Sequence, residues 1–378
     1  MDNTLLIIGL ANRGGGSQTF LVNLIKQFLT LEQSIWKVVA LLPNTWRSER
    51  IVGENYEAIY VDDYVFSSAL NRIKYENISL PKIIKQYKPD LLFFSSEIIP
   101  FRVRNEKIPI VINYHATLQL NRRYISFTKP REIYNYVERI KSLKRADNIV
   151  FVSNHSKAEI LFKYSNIDER KVSVVYHGVE RFPKAISKDN REYEYILTVG
   201  DRYKHKNYDR LIRIYADLVN NNTLDIHLVI VGRIKDLKYD LYLEEIAKDC
   251  GVEDKVHFQD YLNQDGISSL YQNASLYVTL SSVESFGLTP LEAMSHGVPV
   301  IMNMESALPE IYGHYSGFVD IYKQKEDEIA DILFKALNHA QYRDILSEEG
   351  KRLVDYYTWE KCAEAFADIF RSLIIDER

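Results

Sequence analysis

Short apolar runs alternate with segments of helical spacing along most of the chain. The apolar runs Thr4–Leu10, Lys37–Leu42 and Leu91–Ser95 have strand length, and Gln18–Leu31 and Leu80–Tyr87 between them carry the helical pattern. Strands that are apolar throughout are buried on both faces, which is typical of a parallel sheet covered by helices. The first half continues with three more predicted strands and one long helix: Ile108–Asn113, Pro130–Arg145 (the helix), Asn148–Val152 and Lys171–Val175.

The alternation stops at a polar stretch, residues 181–194, and then starts again. This stretch has no strand pattern and contains Pro183, so we predict a linker. The predicted elements after it are Tyr195–Val199, Tyr208–Val219, Ile226–Val231, Leu241–Asp249, Lys255–Phe258, Ile267–Asn273, Leu276–Leu280, Pro290–His296, Val300–Met302, Glu328–His339 and Trp359–Ile375. We predict two doubly wound α/β domains, 1–180 and 195–358, facing across a cleft that binds ligands at the strand carboxyl ends.

Composition is that of an ordinary globular protein, with 46% hydrophobic and 26% charged residues among 378. The apolar runs are far shorter than the roughly 20 residues of a membrane-spanning helix. The first residues show no basic, apolar leader pattern, and the two cysteines, Cys250 and Cys362, cannot build a disulfide framework. We therefore expect a cytoplasmic protein.

The charge is unevenly distributed between the halves. Residues 1–180 carry +7 and residues 181–378 carry −11, within a net charge of −4. Such asymmetry favours an anionic partner for the basic half, although a solvated surface explains it as well. Basic stretches at 102–107, 121–131 and 139–145 make an anionic membrane surface or a lipid-linked acceptor the candidate partner, so that the protein would be peripheral on the inner face of a membrane.

A glycine turn follows the first predicted strand. Gly14, Gly15, Gly16 and Ser17 precede a helix, where backbone N–H groups suit an anion. A P-loop is excluded because no lysine follows, and a dinucleotide fingerprint is excluded because the second strand runs into Pro43 instead of an acidic residue. The alternative is a tight turn that only glycine can make.

The segment 284–294 joins a buried strand to a helix. We expect Thr289 as the N-cap and Pro290 as the first helical residue, which places Glu284 in a loop and Glu292 in the first helical turn. Both carboxylates could then accept hydrogen bonds from sugar hydroxyls. For Glu292 the alternative is a capping box with Thr289.

A second loop, after the strand that ends at Val199, carries two cations. Arg202 and Lys206 precede Asn207, the expected N-cap of the next helix. Two cations at the positive end of a helix dipole form a candidate diphosphate site. The alternative is a solvated basic loop.

These motifs resemble the GT4-type retaining glycosyltransferases (glycosyltransferase group 1), which have the GT-B fold of two Rossmann-like domains. Glu284 and Glu292 are similar to the family's E-x7-E pair, and segments 293–300 and 306–310 resemble sequence motifs that are common in the family. The resemblance implies that Glu284 binds the donor sugar and Glu292 the nucleotide ribose. It implies further donor contacts from Gly15, Gly16, Gly200, Ser285, Phe286, Gly287 and Leu288.

The resemblance also implies a reaction centre. Arg202 and Lys206 would hold the donor diphosphate, and His115 would contact the donor sugar, so that these three and Glu284 form the catalytic set. In this chain His205 replaces a tyrosine of the family, and Ala116 replaces an acid. The final helix, 359–378, would cross back to the first domain.

The implied function is transfer of a hexose or N-acetylhexosamine from a nucleoside-diphosphate sugar to a glycan or lipid-linked acceptor, in the synthesis of cell-surface polysaccharide or glycoconjugates. We expect no cofactor or metal beyond the donor, and no nucleic acid partner. Two alternatives stay open: a nucleotide-sugar epimerase or hydrolase of the same fold, and a non-catalytic partner subunit. A nicotinamide oxidoreductase is disfavoured because the glycine fingerprint is missing.

Overall fold

The chain forms two compact units. The computed structural model describes residues 3–11, 15–31, 36–103, 108–115, 130–164, 166–181 and 191–375. The first unit is Met1–Gly178 together with Trp359–Arg378, and the second is Val179–Thr358. Most of the predicted linker lies outside the described residues.

The first unit is built on a seven-stranded parallel sheet of order β3-β2-β1-β4-β5-β6-β7. Its strands are β1 Asn3–Ile8, β2 Trp36–Pro43, β3 Tyr56–Val61, β4 Leu91–Phe94, β5 Ile110–Tyr114, β6 Asn148–Phe151 and β7 Val172–Val174. Its helices are α1 Gly16–Leu31, α2 Ala69–Tyr87, α3 Pro130–Arg145, α4 Asn154–Lys163 and the chain's last helix, α12 Trp359–Ile375. The strands are buried on both faces, as the apolar runs predict.

Helix α12 belongs to the core of the first unit. Alternate residues of a strand point to opposite faces of the sheet, so Leu5 and Ile7 share one face of β1. Phe370 of α12 lies on that face, with ring centroids 5.4 Å from Phe93 and 5.7 Å from Phe28. Helix α12, at the end of the sequence, therefore packs into the same hydrophobic layer as strand β1 at its beginning.

The second unit has a six-stranded parallel sheet of order β10-β9-β8-β11-β12-β13. Its strands are β8 Glu194–Val199, β9 Ile226–Val231, β10 Val256–Gln259, β11 Leu276–Thr279, β12 Val300–Asn303 and β13 Phe318–Val319. Its helices are α5 Tyr208–Asn222, α6 Leu237–Asp249, α7 Gln264–Asn273, α8 Leu288–Ser295, α9 Leu308–Tyr312, α10 Glu326–Asn338 and α11 Ala340–Tyr356.

The elements that were not predicted include β3, α9, β13 and α11. Helix α11 carries Gly350, which usually weakens a helix. Here a Cβ at Gly350 would lie 2.9 Å from Met294 Cγ of α8, so the glycine lets two helices pack closely. Strand β3 has a mixed pattern because most of its side chains are only half-buried at the sheet edge. Among the described residues, no helix is long and apolar enough to cross a membrane.

Candidate functional site

Two loops meet at the carboxyl edge of the second sheet. One follows β8 and the other follows β11, which are hydrogen-bonded neighbours. The side-chain amide of Asn207 donates to the Leu280 carbonyl at 2.7 Å, and Ser282 N donates to the His205 carbonyl at 2.8 Å. Asn207 does precede α5, but with φ of 53° and without capping it by its side chain. These bonds fix the two loops to each other.

Lys206 and Glu284 come together where the loops meet. Lys206 Nζ lies 2.5 Å from Glu284 Oε1, and each side chain is 16% exposed. Gly200 stands beside them, since a Cβ built there would lie 3.6 Å from Lys206 Nζ. The structure therefore brings together three of the predicted site residues: Lys206, Glu284 and Gly200.

Ser306 holds the main chain of Glu284. Its Oγ donates to the Glu284 carbonyl at 2.7 Å and accepts from Glu284 N at 3.1 Å. Ser306 adopts φ of 60°, which costs a non-glycine residue energy and is often found at functional sites. The sequence reasoning recorded Ser306 as part of a motif but missed this role.

The backbone of 285–288 leads from Glu284 into α8. Gly287 has φ of 87°, and a Cβ there would lie 2.4 Å from Leu308 Cδ2, so only glycine fits. The Phe286 side chain is buried edge-on against Tyr357, at 5.7 Å between ring centroids. The main chain of Phe286, not its side chain, is therefore the part that could meet a ligand. The first turn of α8, which begins at Leu288, has N–H groups without intrahelical acceptors.

Glu292 is not part of a capping box. The expectation of Thr289 as N-cap is wrong, because α8 begins at Leu288 with Gly287 before it. The Thr289 hydroxyl is instead bonded to the Tyr277 hydroxyl at 2.8 Å. Glu292 Oε2 accepts a hydrogen bond from the Tyr271 hydroxyl at 3.0 Å. Burial raises the pKa of Glu292 to about 7, and the bond from Tyr271 opposes that rise.

Three buried tyrosine hydroxyls form hydrogen bonds to this segment. Besides the bonds of Tyr271 and Tyr277, Tyr312 donates to the Gly287 carbonyl at 2.5 Å. The three come from α7, β11 and α9. The chain contains 27 tyrosines, and their number alone does not indicate which of them bond to this segment. These supports were missed from the sequence.

The Arg202 side chain contacts Asp240 and Gln259. Its Nε is 2.5 Å from Asp240 Oδ1, its Nη1 donates to the Gln259 carbonyl at 3.1 Å, and the side chain is 4% exposed. Asp201 pairs with Lys235 at 3.1 Å. Asp240 belongs to α6, and no motif in the sequence indicates it as a partner of Arg202. The diphosphate role of Arg202 stays a prediction, and in this structure the guanidinium is neutralised by a buried carboxylate.

In the first unit, His115 follows β5. Its Nε2 lies 2.9 Å from the amide nitrogen of Asn113, its ring meets Phe20 edge-on at 4.8 Å, and its main-chain N–H donates to Glu97 at 3.3 Å. Burial lowers the pKa of His115, so the ring is neutral near pH 7. Ala116 lies outside the described residues, and Glu97 is a carboxylate near His115 that the sequence reasoning missed.

The glycine turn is described from Gly15 onward. Gly15 has φ of 66°, and its carbonyl accepts from Gln18 N at 3.0 Å at the start of α1. No atom of the described residues lies within 4 Å of a Cβ built on Gly15, so the backbone angle is what requires glycine there. Both Gly15 and Gly16 are exposed, which leaves their backbone open to a ligand.

A cavity of about 360 Å³ in the first unit includes His115. Two Arg–carboxylate pairs line it: Arg72 with Glu76 at 2.8 Å, and Arg139 with Glu97 at 4.0 Å. Among the described lining residues, the cavity is therefore polar and its charges are balanced. Of the basic stretches nominated for a membrane, 121–129 and 104–107 lie outside the described residues. Among the described residues no cluster of three or more His, Cys, Asp or Glu could hold a metal ion.

Two family models match the chain. Residues 14–181 match Glycosyltransferase Family 4, and residues 179–353 match Glycosyl transferases group 1. An uncharacterised glycosyltransferase of Methanocaldococcus jannaschii is 26% identical over 283 residues, which are 70% of this chain and 70% of that protein. The O-antigen chain mannosyltransferase RfbU of Salmonella typhimurium is 26% identical over 262 residues, 63% of this chain and 70% of its own.

A solved structure extends the likeness to the whole fold. HepE of Anabaena, determined in complex with UDP-glucose, matches with a TM-score of 0.73 at 16% identity, covering 98% of this chain and 99% of its own. Together with the two parallel sheets, this likeness confirms the predicted GT-B fold class.

Proposed function

Because the chain belongs to the group 1, family 4 glycosyltransferases, we propose that it transfers a hexose or N-acetylhexosamine, with retention of configuration, from a nucleoside-diphosphate sugar to a glycan or lipid-linked acceptor. The relatives named as an O-antigen mannosyltransferase and as a complex with UDP-glucose support a hexose donor. The O-antigen relative also supports a place in the synthesis of cell-surface polysaccharide.

The observation that carries this proposal is the contact between Lys206 and Glu284 at the carboxyl edge of the second sheet. A donor needs a cation for its diphosphate and a hydrogen-bond acceptor for its sugar hydroxyls, and the two must be neighbours. Lys206 serves the diphosphate and Glu284 the sugar, with Gly200, which is partly exposed, beside them. Glu292 serves the ribose.

In the reaction the bond between the anomeric carbon and the phosphate oxygen breaks, and its electron pair stays on the diphosphate. Lys206 and the N-terminal turn of α8 offset the charge that develops there. The acceptor hydroxyl attacks the face that the diphosphate leaves, and its proton passes to the departing phosphate oxygen. His115, neutral near pH 7, is the residue proposed to contact the donor sugar in the first unit. No metal ion or cofactor takes part.

The cavity of the first unit suits an acceptor sugar. Its arginines can donate to hydroxyl groups and its glutamates can accept from them, while the paired charges favour a neutral ligand over an anionic one. We therefore place the sugar of the acceptor there. If the acceptor is lipid-linked, its phosphate or lipid would need other contacts, on the basic surface of α3 among them.

A two-stage experiment tests the proposal. Thermal shift with UDP-, GDP- and ADP-sugars identifies the donor, because a ligand of the native state raises the melting temperature. The donor is then assayed for transfer with glycan and lipid-linked acceptors, with and without EDTA, and the anomeric configuration of the product is read by NMR. We expect transfer with retention, dependent on acceptor and insensitive to EDTA.

Other outcomes have definite meanings. Turnover of the donor without any acceptor would replace the proposal by an epimerase or a hydrolase. Binding without turnover, unchanged in Glu284→Ala, would favour a non-catalytic partner subunit. Flotation with anionic vesicles tests the expected peripheral membrane association, which should weaken as salt increases.

A further inference from the structure

The side-chain carboxylate of Glu292 has two oxygens with different surroundings. Oε2 accepts the hydrogen bond from Tyr271, whereas Oε1 has no hydrogen-bond partner among the described residues. We propose that Tyr271 is a positioning residue for the donor: its hydroxyl fixes the carboxylate so that Oε1 is presented to the ribose. This inference rests on the function proposed above for Glu292.

Tyr271 is itself held rigidly. Its ring is 1% exposed and stacks on the His296 ring, with centroids 5.3 Å apart and planes inclined by 27°. The neighbouring carbonyl of Leu270 accepts a hydrogen bond from the buried Tyr195 hydroxyl at 2.9 Å, which ties α7 to β8. Because the Tyr271 hydroxyl is itself fixed, its hydrogen bond can hold the Glu292 carboxylate in one orientation at little further entropic cost.

His296 contacts the main chain of Glu292. Its Nδ1 lies 2.8 Å from the Glu292 carbonyl oxygen, and its Nε2 lies 2.8 Å from Ser268 Oγ on α7. Helix α7 therefore holds Glu292 twice, by the side chain through Tyr271 and by the main chain through Ser268 and His296. This double attachment is more than packing of two helices requires.

The charge state of Glu292 follows from the groups that face it. Tyr271 and Tyr277 have pKa values raised by burial, and burial lowers the pKa of His296, so all three are neutral near pH 7. Glu284, at the other end of the segment, brings no positive charge. Burial raises the pKa of Glu292 to about 7, and the hydroxyl of Tyr271 opposes the rise. Without that hydroxyl, the protonated form would persist to higher pH.

A ribose diol distinguishes the two forms, because a carboxylate accepts hydrogen bonds at both oxygens and a carboxylic acid offers fewer acceptor sites. The affinity for a nucleoside diphosphate should therefore fall as the pH drops through about 7, following the pKa of Glu292. In Tyr271→Phe the midpoint of this fall should lie at higher pH. At pH 7 the affinity should be roughly three- to tenfold weaker than in the wild type.

Calorimetric titration with UDP, GDP and ADP from pH 5.5 to 8.5 tests this in the full chain. Glu292→Gln should bind weakly at every pH and keep only the pH dependence of the ligand's terminal phosphate, whose second pKa is about 6. Tyr277→Phe is the matched control, because it removes a buried hydroxyl that bonds Thr289, and any loss should be the same at every pH. At saturating donor, kcat of Tyr271→Phe should match the wild type, while KM for the donor rises.

A second measurement needs no variant. The 2′,3′-dideoxy form of whichever nucleotide binds lacks both ribose hydroxyls, so its affinity for the wild-type protein should keep only the pH dependence of its own terminal phosphate, whose second pKa is about 6. If none of the three nucleotides binds the wild type, the proposed function fails. If one binds, but Tyr271→Phe keeps the wild-type midpoint or the dideoxy form keeps the wild-type pH dependence, the function stands and the role of Tyr271 is refuted.

Discussion

Lys206 Nζ and Glu284 Oε1 lie 2.5 Å apart where two loops meet. Each side chain gives the other a partner of opposite charge. Under the proposed function, a donor would replace this ion pair, with its diphosphate bound to the ammonium group and its sugar hydroxyls bound to the carboxylate.

The first prediction separates this role from simple pairing. Glu284→Gln and Lys206→Ala should each lower kcat by about 10²-fold or more, because each removes a contact to the reacting donor. If each residue binds its own part of the donor, the double variant stays inactive. Recovery of activity in the double variant would mean that the two residues only neutralise each other. Glu253→Gln, on an exposed turn, is the matched control for loss of a carboxylate.

A second prediction concerns Arg202 and Asp240. Asp240→Leu alone leaves a buried guanidinium without its carboxylate and should reduce the free energy of unfolding by roughly 3–5 kcal/mol. Adding Arg202→Met should restore most of that loss, because two apolar side chains can replace a buried ion pair. Denaturant titration measures both effects.

The same double variant decides the predicted diphosphate role. With folding restored, a rise of the donor KM by tenfold or more would support a contact between Arg202 and the diphosphate. An unchanged KM would leave the residue with a structural role only.

The sequence predicts the two sheets because apolar periodicity acts locally, whereas the cap expected at Thr289 was wrong. It could not predict the partners of Arg202 or Glu292. Helical spacing indicates that Tyr271 and Asp240 lie on one or other face of their helices, but the atoms they meet depend on how those helices pack. Gly350 shows the same limit: a local helix-breaking signal was overridden by close packing against Met294.

A third prediction follows from His205, where the family has a tyrosine. Burial, assisted by the neighbouring Lys206, lowers the pKa of His205 to about 4 from an ordinary value of 6.5. Between these pH values the unfolded chain binds a proton at this position that the folded chain does not, so folding loses stability as the pH falls. His205→Tyr removes that loss.

The measurement is the free energy of unfolding by denaturant from pH 4 to 8. The difference between His205→Tyr and wild type should be constant above about pH 6.5 and should grow in favour of the variant toward pH 4. His314→Tyr removes an exposed imidazole and controls for the loss of a histidine. A difference that does not change with pH would contradict the prediction.

The fourth prediction concerns Gly287, which has two independent reasons to be glycine. Its φ of 87° disfavours any side chain, and a Cβ would lie 2.4 Å from Leu308 Cδ2. Gly297, at φ of 80°, has no atom of the described residues within 4 Å of such a Cβ. Its replacement by alanine therefore measures only the energetic cost of the backbone angle. Gly297→Ala should cost roughly 1–2 kcal/mol of stability, and Gly287→Ala should cost about 1–3 kcal/mol more because of the steric overlap.

If Gly287 also matters because donor atoms approach its backbone, Gly287→Ala should weaken nucleotide-sugar binding beyond what its stability explains. Combining it with Leu308→Ala removes the overlapping methyl group and isolates that effect. Because Leu308 is fully buried, we expect the double variant to lose less stability than the sum of the two single variants. It should still bind donor at least tenfold more weakly than Leu308→Ala alone, measured by calorimetric titration well below both melting temperatures. Equal affinities of these two variants would assign Gly287 to folding only, and the donor would then have to contact α8 through other residues.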